Sequence, residues 1–158
     1  MTQQRLLFVC LGNICRSPMA EGVFRSIAAE AGIGGLQVDS AGTGDWHVGN
    51  PPDARATRAA RARGVDISGQ RARQVSVDDF DSFDIILAMD SANMAHLRAL
   101  VPHGSHKVRL FLEFAPESGE SDVPDPYSGG ADGFERALDL IEAASRGLCA
   151  ELNARRGD

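Results

Sequence analysis

Four short apolar runs punctuate the chain: Arg5 to Val9, Leu36 to Ser40, Asp84 to Met89 and Lys107 to Phe111. All are near-continuous rather than strictly alternating, the pattern of strands covered on both faces in a parallel sheet. Between them lie segments with helical spacing, and the alternation of strand and helix predicts a doubly wound α/β domain. The first helix follows the first strand closely, with Ser17 as a possible N-cap, Pro18 at the first helical position, and Gly32 as its stop. Ala20, Val23, Phe24, Ile27 and Ala31 make its apolar face. Further helices are predicted from Asp53 to Arg63, from Ser91 to Leu100 before Pro102, and from about Ala131 to Arg155. The last carries Phe134, Leu138, Ile141, Leu148 and Leu152 in one stripe that only Ser145 interrupts. Glu113 to Gly130, with three prolines and no periodicity, reads as an extended loop of the kind that is usually functional or disordered.

At 158 residues the chain suits one domain, 1–158, with one core. Its 43% hydrophobic and 24% charged residues are those of a globular protein. A net charge of -6 argues against partnership with nucleic acid or an anionic membrane surface, though not against a local cationic pocket. The apolar run Leu6 to Val9 is too short for a secretion signal, and no stretch is long enough to span a bilayer. The expected compartment is therefore the cytoplasm, where Cys10, Cys15 and Cys149 stay reduced.

The chemistry concentrates in Cys10-Leu11-Gly12-Asn13-Ile14-Cys15-Arg16-Ser17-Pro18. An apolar strand ends at Cys10, a glycine permits a tight turn, and a helix begins a few residues later. Such a loop can aim successive N–H groups inward while the helix N-terminus adds positive potential, a cradle for a phosphoryl dianion. The same field favours a nucleophilic thiolate at Cys10. The planar fork of Arg16 can hold two phosphoryl oxygens as charge spreads over them, and Ser17 can donate to the sulfur as it leaves. Spacing alone is a weak signal, because Cys149 and Arg155 repeat it within a helix-forming run that has no glycine and no preceding strand. Release of an alcohol or phenol also needs a proton donor that later activates water. Asp125, between Pro124 and Pro126, is the best candidate, although Asp-Pro-Tyr is also an ordinary turn sequence.

Together, the loop sequence and Asp125-Pro126-Tyr127 resemble the low-molecular-weight protein tyrosine phosphatase family. The likeness extends through Asp39-Ser40-Ala41-Gly42-Thr43, Ala72-Arg73-Gln74 and Ala88-Met89-Asp90, and so covers nearly the whole chain. It implies a three-layer domain whose four-stranded parallel sheet has the flavodoxin-like order 2-1-3-4, with helices on both faces. It also implies Cys10 as nucleophile, Arg16 as clamp, Asp125 as general acid, and Leu11, Gly12, Asn13, Ile14, Cys15, Arg16 and Ser17 as the phosphate-binding loop. Asn13 and Ser40 would brace that loop, and Asp90 would support it, while a turn, a strand end and a helix cap are their ordinary alternatives. Trp46 and Tyr127, the chain's one Trp and one Tyr, would wall a deep pocket with Leu11 and Ile14 that selects phosphotyrosine over shorter phosphoserine. Gln70 stands where many relatives carry His, so a carboxamide is expected to brace Asn13; Ser128 replaces a second aromatic after Asp-Pro-Tyr. A reversible Cys10–Cys15 disulfide would shield the nucleophile, and simple packing of Cys15 under the loop is equally compatible.

The implied reaction turns a phosphotyrosyl protein or peptide into a free tyrosine and inorganic phosphate, with no cofactor and no metal, in a monomer or weak dimer. Histidines 47, 96, 103 and 106 lack metal-ligand spacing. Arg55, Arg58, Arg61 and Arg63 read as a solvated helix face, Cys149 as core, and the acids from Asp78 to Asp84 as a capped turn anchored by Phe80 and Phe83. Three rivals share the loop: an arginine phosphatase, disfavoured because its relatives have Thr at the place of Ile14; an arsenate reductase, which needs a later cysteine pair; and a non-catalytic phosphate-binding module.

Overall fold

The computed structural model describes residues 4–127 and 130–156. In chain order it comprises β1 (Gln4–Cys10), α1 (Arg16–Glu30), β2 (Leu36–Gly42), α2 (Ala54–Ala62), α3 (Asp79–Ser82), β3 (Ile85–Ala88), α4 (Ser91–Leu100), β4 (Val108–Leu110) and α5 (Ala131–Arg156). The strands form one sheet in the order β2-β1-β3-β4, and every adjacent pair is parallel.

Strand β1 explains why the apolar runs do not alternate. Leu6, Phe8 and Cys10 face a cluster built with α1, α2 and α5, while Leu7 and Val9 face a second cluster with Phe80, Phe83, Leu97 and Val101. Both faces of the strand are covered, so every position from Leu6 to Cys10 is buried. Phe8 meets Phe24 at 5.6 Å and Phe111 at 5.2 Å between ring centroids. Burying such a ring contributes about 1.5–3 kcal/mol, enough to fix β1 between its two layers.

This order places the reversal of connection direction at β1 and β3, so the crevice lies at their carboxyl ends, where open α/β sheets bind ligands. Cys10 ends β1 there. Gly42 ends β2 beside it, and a Cβ at Gly42 would lie 2.8 Å from the Leu11 carbonyl oxygen, so only glycine lets the following loop pass.

Several local expectations are corrected. Helix α1 begins at Arg16 with Cys15 as N-cap and no side-chain cap, so Ser17 lies inside the first turn with its hydroxyl turned to the loop. The stretch from Glu113 is not wholly extended, since short 3-10 turns cover Phe111–Phe114 and Pro116–Ser118. The acidic turn forms α3 and buries Phe80 and Phe83 as expected, and Asp79 accepts from the Ser76 N–H at 2.8 Å. Arg63 is not a solvated side chain: it ends α2 and bridges Glu135, Asp139 and Glu142 of α5 at 2.7, 3.0 and 3.1 Å. The two helices pack together, which puts an acidic stripe opposite it. Cys149 is buried in the first cluster, and Ser128 lies outside the described residues.

Candidate active site

The loop from Cys10 to Arg16 is shaped by what its carbonyls bond. Cys10 O accepts from Thr43 N, Leu11 O from Gly44 N and Ile14 O from Asp53 N, each at 2.9 Å, and Cys15 O accepts from Met19 N at 3.1 Å. In a planar trans peptide the N–H points opposite to the carbonyl. Outward carbonyls at 10, 11, 14 and 15 therefore turn the N–H groups of Leu11, Gly12, Cys15 and Arg16 toward the loop centre, where the N-terminus of α1 adds its own positive potential.

Asn13 holds this shape. Its φ of 56° is left-handed, a conformation that asparagine tolerates better than most residues. Its Nδ2 donates to Ser17 Oγ at 2.8 Å and Ser40 Oγ at 3.0 Å, and its Oδ1 accepts from Arg73 N at 3.0 Å. A buried side chain satisfied at both ends fixes the loop more strongly than pairwise bonds suggest. Gln70 stands one step further out than expected. Ser40 Oγ donates to Gln70 Oε1 at 3.3 Å while Gln70 Nε2 donates to the Pro18 carbonyl at 3.0 Å, so the carboxamide braces Asn13 through Ser40 rather than directly.

The Cys10 sulfur accepts from Asn13 N at 3.3 Å and lies 3.0 Å from Ser17 Oγ. Cys15 packs beneath the loop as a free thiol. Burial first, then the charges of Asp53 and Cys10, push that thiol up to about 12.

Arg16 is 3% exposed. Its Nη1 donates to Asp90 Oδ2 at 2.6 Å and to the Val123 carbonyl at 3.0 Å, and its Nη2 lies 3.6 Å from Asp125 Oδ2. Burial opposes the guanidinium charge, but Cys10, Asp90 and Asp125 outweigh it and raise the pKa of Arg16. Asp90 does two tasks at once, since its Oδ1 accepts from Asn93 N at 2.7 Å and caps α4. Asp125 likewise is both turn and pocket residue: its Oδ1 accepts from Tyr127 N at 3.1 Å while its other oxygen faces Arg16.

Cys10, Arg16 and Asp125 line one cavity of about 170 Å³ together with Leu11, Gly12, Ile14, Cys15, His47 and the exposed rings of Trp46 and Tyr127. It can hold one phosphoryl group below an aromatic ring. A sulfur nucleophile, inward amides, a buried guanidinium and an opposed carboxyl are the parts of a phosphoryl-transfer site.

The family model for low molecular weight phosphotyrosine protein phosphatases matches residues 5–157. The chain belongs to this family. YfkJ of Bacillus subtilis, a low molecular weight protein-tyrosine-phosphatase, is 47% identical over 150 residues, 93% of this chain and 94% of that protein. The low molecular weight phosphotyrosine protein phosphatase of Schizosaccharomyces pombe is 49% identical over 133 residues, 82% of this chain and 85% of that protein. The crystal structure of YfkJ superposes with a TM-score of 0.92 at 41% identity over 98% of each chain.

In this low molecular weight phosphatase one residue without an expected role lines the pocket, and another lies beside it. His47 lines it, with its ring centroid 6.4 Å from that of Tyr127, and packs where a Cβ on Gly12 would come within 3.1 Å of it. Its position directly after Trp46 is the sequence signal for this placement, and it is unrelated to metal-ligand spacing. Arg55 lies beside the pocket, its partly exposed guanidinium 5.5 Å from the centroid of the Tyr127 ring.

Proposed function

We propose that this phosphatase hydrolyses phosphotyrosine in proteins or peptides through a covalent phosphocysteine at Cys10, with residues 1–158 acting as one catalytic domain. The observation that carries the reading is the meeting of the Cys10 sulfur, the buried Arg16 and the Asp125 carboxyl in one cavity. The Cys10 thiolate attacks phosphorus, the bond from phosphorus to the phenolic oxygen breaks, and Asp125 gives its proton to the departing oxygen. Inward amides and Arg16 bind the equatorial oxygens throughout. Water then attacks phosphorus and yields a proton to the Asp125 carboxylate. The sulfur–phosphorus bond breaks, inorganic phosphate leaves, and Ser17 donates to the returning thiolate.

Asn13, Ser40, Gln70 and Asp90 keep this geometry. Leu11, Trp46 and Tyr127 border the cavity and offer apolar and aromatic surface to the tyrosyl ring, contacts that a phosphoserine side chain lacks the ring to make. Ile14 offers methyl groups where an arginine phosphatase would present a hydroxyl. No cofactor enters any step. No helix among the described residues is long and apolar enough to cross a membrane. The free thiols suit a reducing cytoplasm, and a monomer or weak dimer suffices because the proposed groups all come from one chain.

The test is hydrolysis of matched phosphotyrosyl, phosphoseryl and phosphoarginyl peptides. Phosphotyrosyl peptide alone should be turned over well, and Cys10→Ser should abolish turnover. A preference for phosphoarginyl peptide would move the assignment to that rival.

A further inference from the structure

Asp125 holds itself in place weakly. Its side chain is 47% exposed, and Tyr127 N is the one backbone donor to it among the described residues. The stronger hold on its segment comes from across the rim. Arg55, in the first turn of α2, donates from Nη2 to the Tyr127 carbonyl at 2.8 Å. Its guanidinium also lies over the Tyr127 and Phe134 rings, at 5.5 and 5.0 Å from their centroids. Asp53 orients Arg55: its two oxygens accept from Nε and Nη2 at 3.2 and 3.0 Å while it caps α2. The Asp53 N–H in turn donates to the carbonyl of Ile14 in the phosphate loop at 2.9 Å.

The path therefore runs without a gap from Ile14 through Asp53, Arg55 and Tyr127 to Asp125. We propose that Arg55 is a positioning residue that latches the acid-bearing segment to the phosphate loop and so sets where the Asp125 carboxyl stands relative to Cys10. A guanidinium suits the task because its planar fork bonds a carboxylate with two N–H groups and still has donors for a carbonyl; an ammonium does not hold both in one plane. This inference rests on Asp125 being the general acid.

The test compares kcat/KM on phenyl phosphate, whose leaving group needs a proton, with p-nitrophenyl phosphate, whose leaving group needs it less. Arg55→Ala should lose roughly 10-fold on phenyl phosphate but only about 2-fold on p-nitrophenyl phosphate, a fraction of what a general acid contributes. Arg55→Lys should show the same bias at smaller size. In an Asp125→Ala background, Arg55→Ala should cost nothing further on either substrate, since the residue acts through the acid. Equal losses on the two substrates, or full additivity with Asp125→Ala, would overturn the latch. If Arg55→Ala melts too early to assay, Arg55→Lys decides: a leaving-group bias supports the latch and its absence refutes it. Failure of the underlying reading looks different, because Asp125→Ala itself would then show no leaving-group bias.

Discussion

The two walls of the pocket are built to opposite standards. On one side the phosphate loop is closed in: Asn13, Arg16 and Ser17 are buried, the carbonyls at 10, 11, 14 and 15 are bonded outward, and the side chains bond one another or the scaffold. On the other, Asp125 sits half in solvent on a segment stiffened by prolines and tied at few points. Stabilising a spreading negative charge requires dipoles that are already aligned before reaction, so their support must be dense. Transferring a proton to a bulky leaving group, and then admitting water, requires an accessible carboxyl on a part of the fold that can open cheaply.

Variants that distinguish the walls should therefore fail differently. The largest effect short of losing the nucleophile is expected for Asp125→Ala, which should lower kcat/KM on phenyl phosphate by roughly 10²–10⁴ while leaving Tm unchanged. A fall in Tm would mean that the acid wall is structural too. Arg16→Ala should cost about 10²–10³ on every substrate regardless of leaving group, the loss expected when a charge-stabilising donor is removed. A leaving-group bias there would blur the division between the walls. For Asn13→Ala, roughly 10-fold slower turnover and about 1–3 kcal/mol of lost stability should appear together in kinetics and denaturant melts, because buried groups lose their partners and alanine is strained at a left-handed φ. Loss of activity without loss of stability would show that the loop is held by something else. The smallest effect concerns Cys15. With its thiol pushed up to about 12, iodoacetamide near neutral pH should label Cys10 and spare Cys15, with Cys15 labelling rising only as pH approaches that value. Mapped modification of Cys15 at neutral pH would show that the loop opens.

The same contrast governs what could be read from the sequence. The sheet was legible because β1 is buried on both faces and so writes an unbroken apolar run, and the loop because strand, glycine and helix follow within a few residues. Cys149 and Arg155 share the spacing of Cys10 and Arg16, yet Cys149 is core within α5, which shows that context and not spacing carried the signal. Contacts across the fold were not legible. Ser17 next to Pro18 reads as a cap, but its hydroxyl goes to the sulfur. Periodicity put Arg55 and Arg63 on a polar face of α2 without revealing that Tyr127 and the acids of α5 lie opposite. Gln70 belongs to the expected network but reaches Asn13 through Ser40, and one intervening hydroxyl is invisible in a linear pattern.

The central claim is a phosphoryl group carried on Cys10, and trapping it is the most direct measurement. Protein mixed with a phosphotyrosyl peptide, quenched in acid within one turnover and mapped by mass spectrometry, should carry one phosphoryl group on Cys10, and Cys10→Ser should show neither adduct nor turnover. A wild-type protein that turns over substrate with no adduct, or with the group on another residue while Cys10→Ser stays active, would contradict the account.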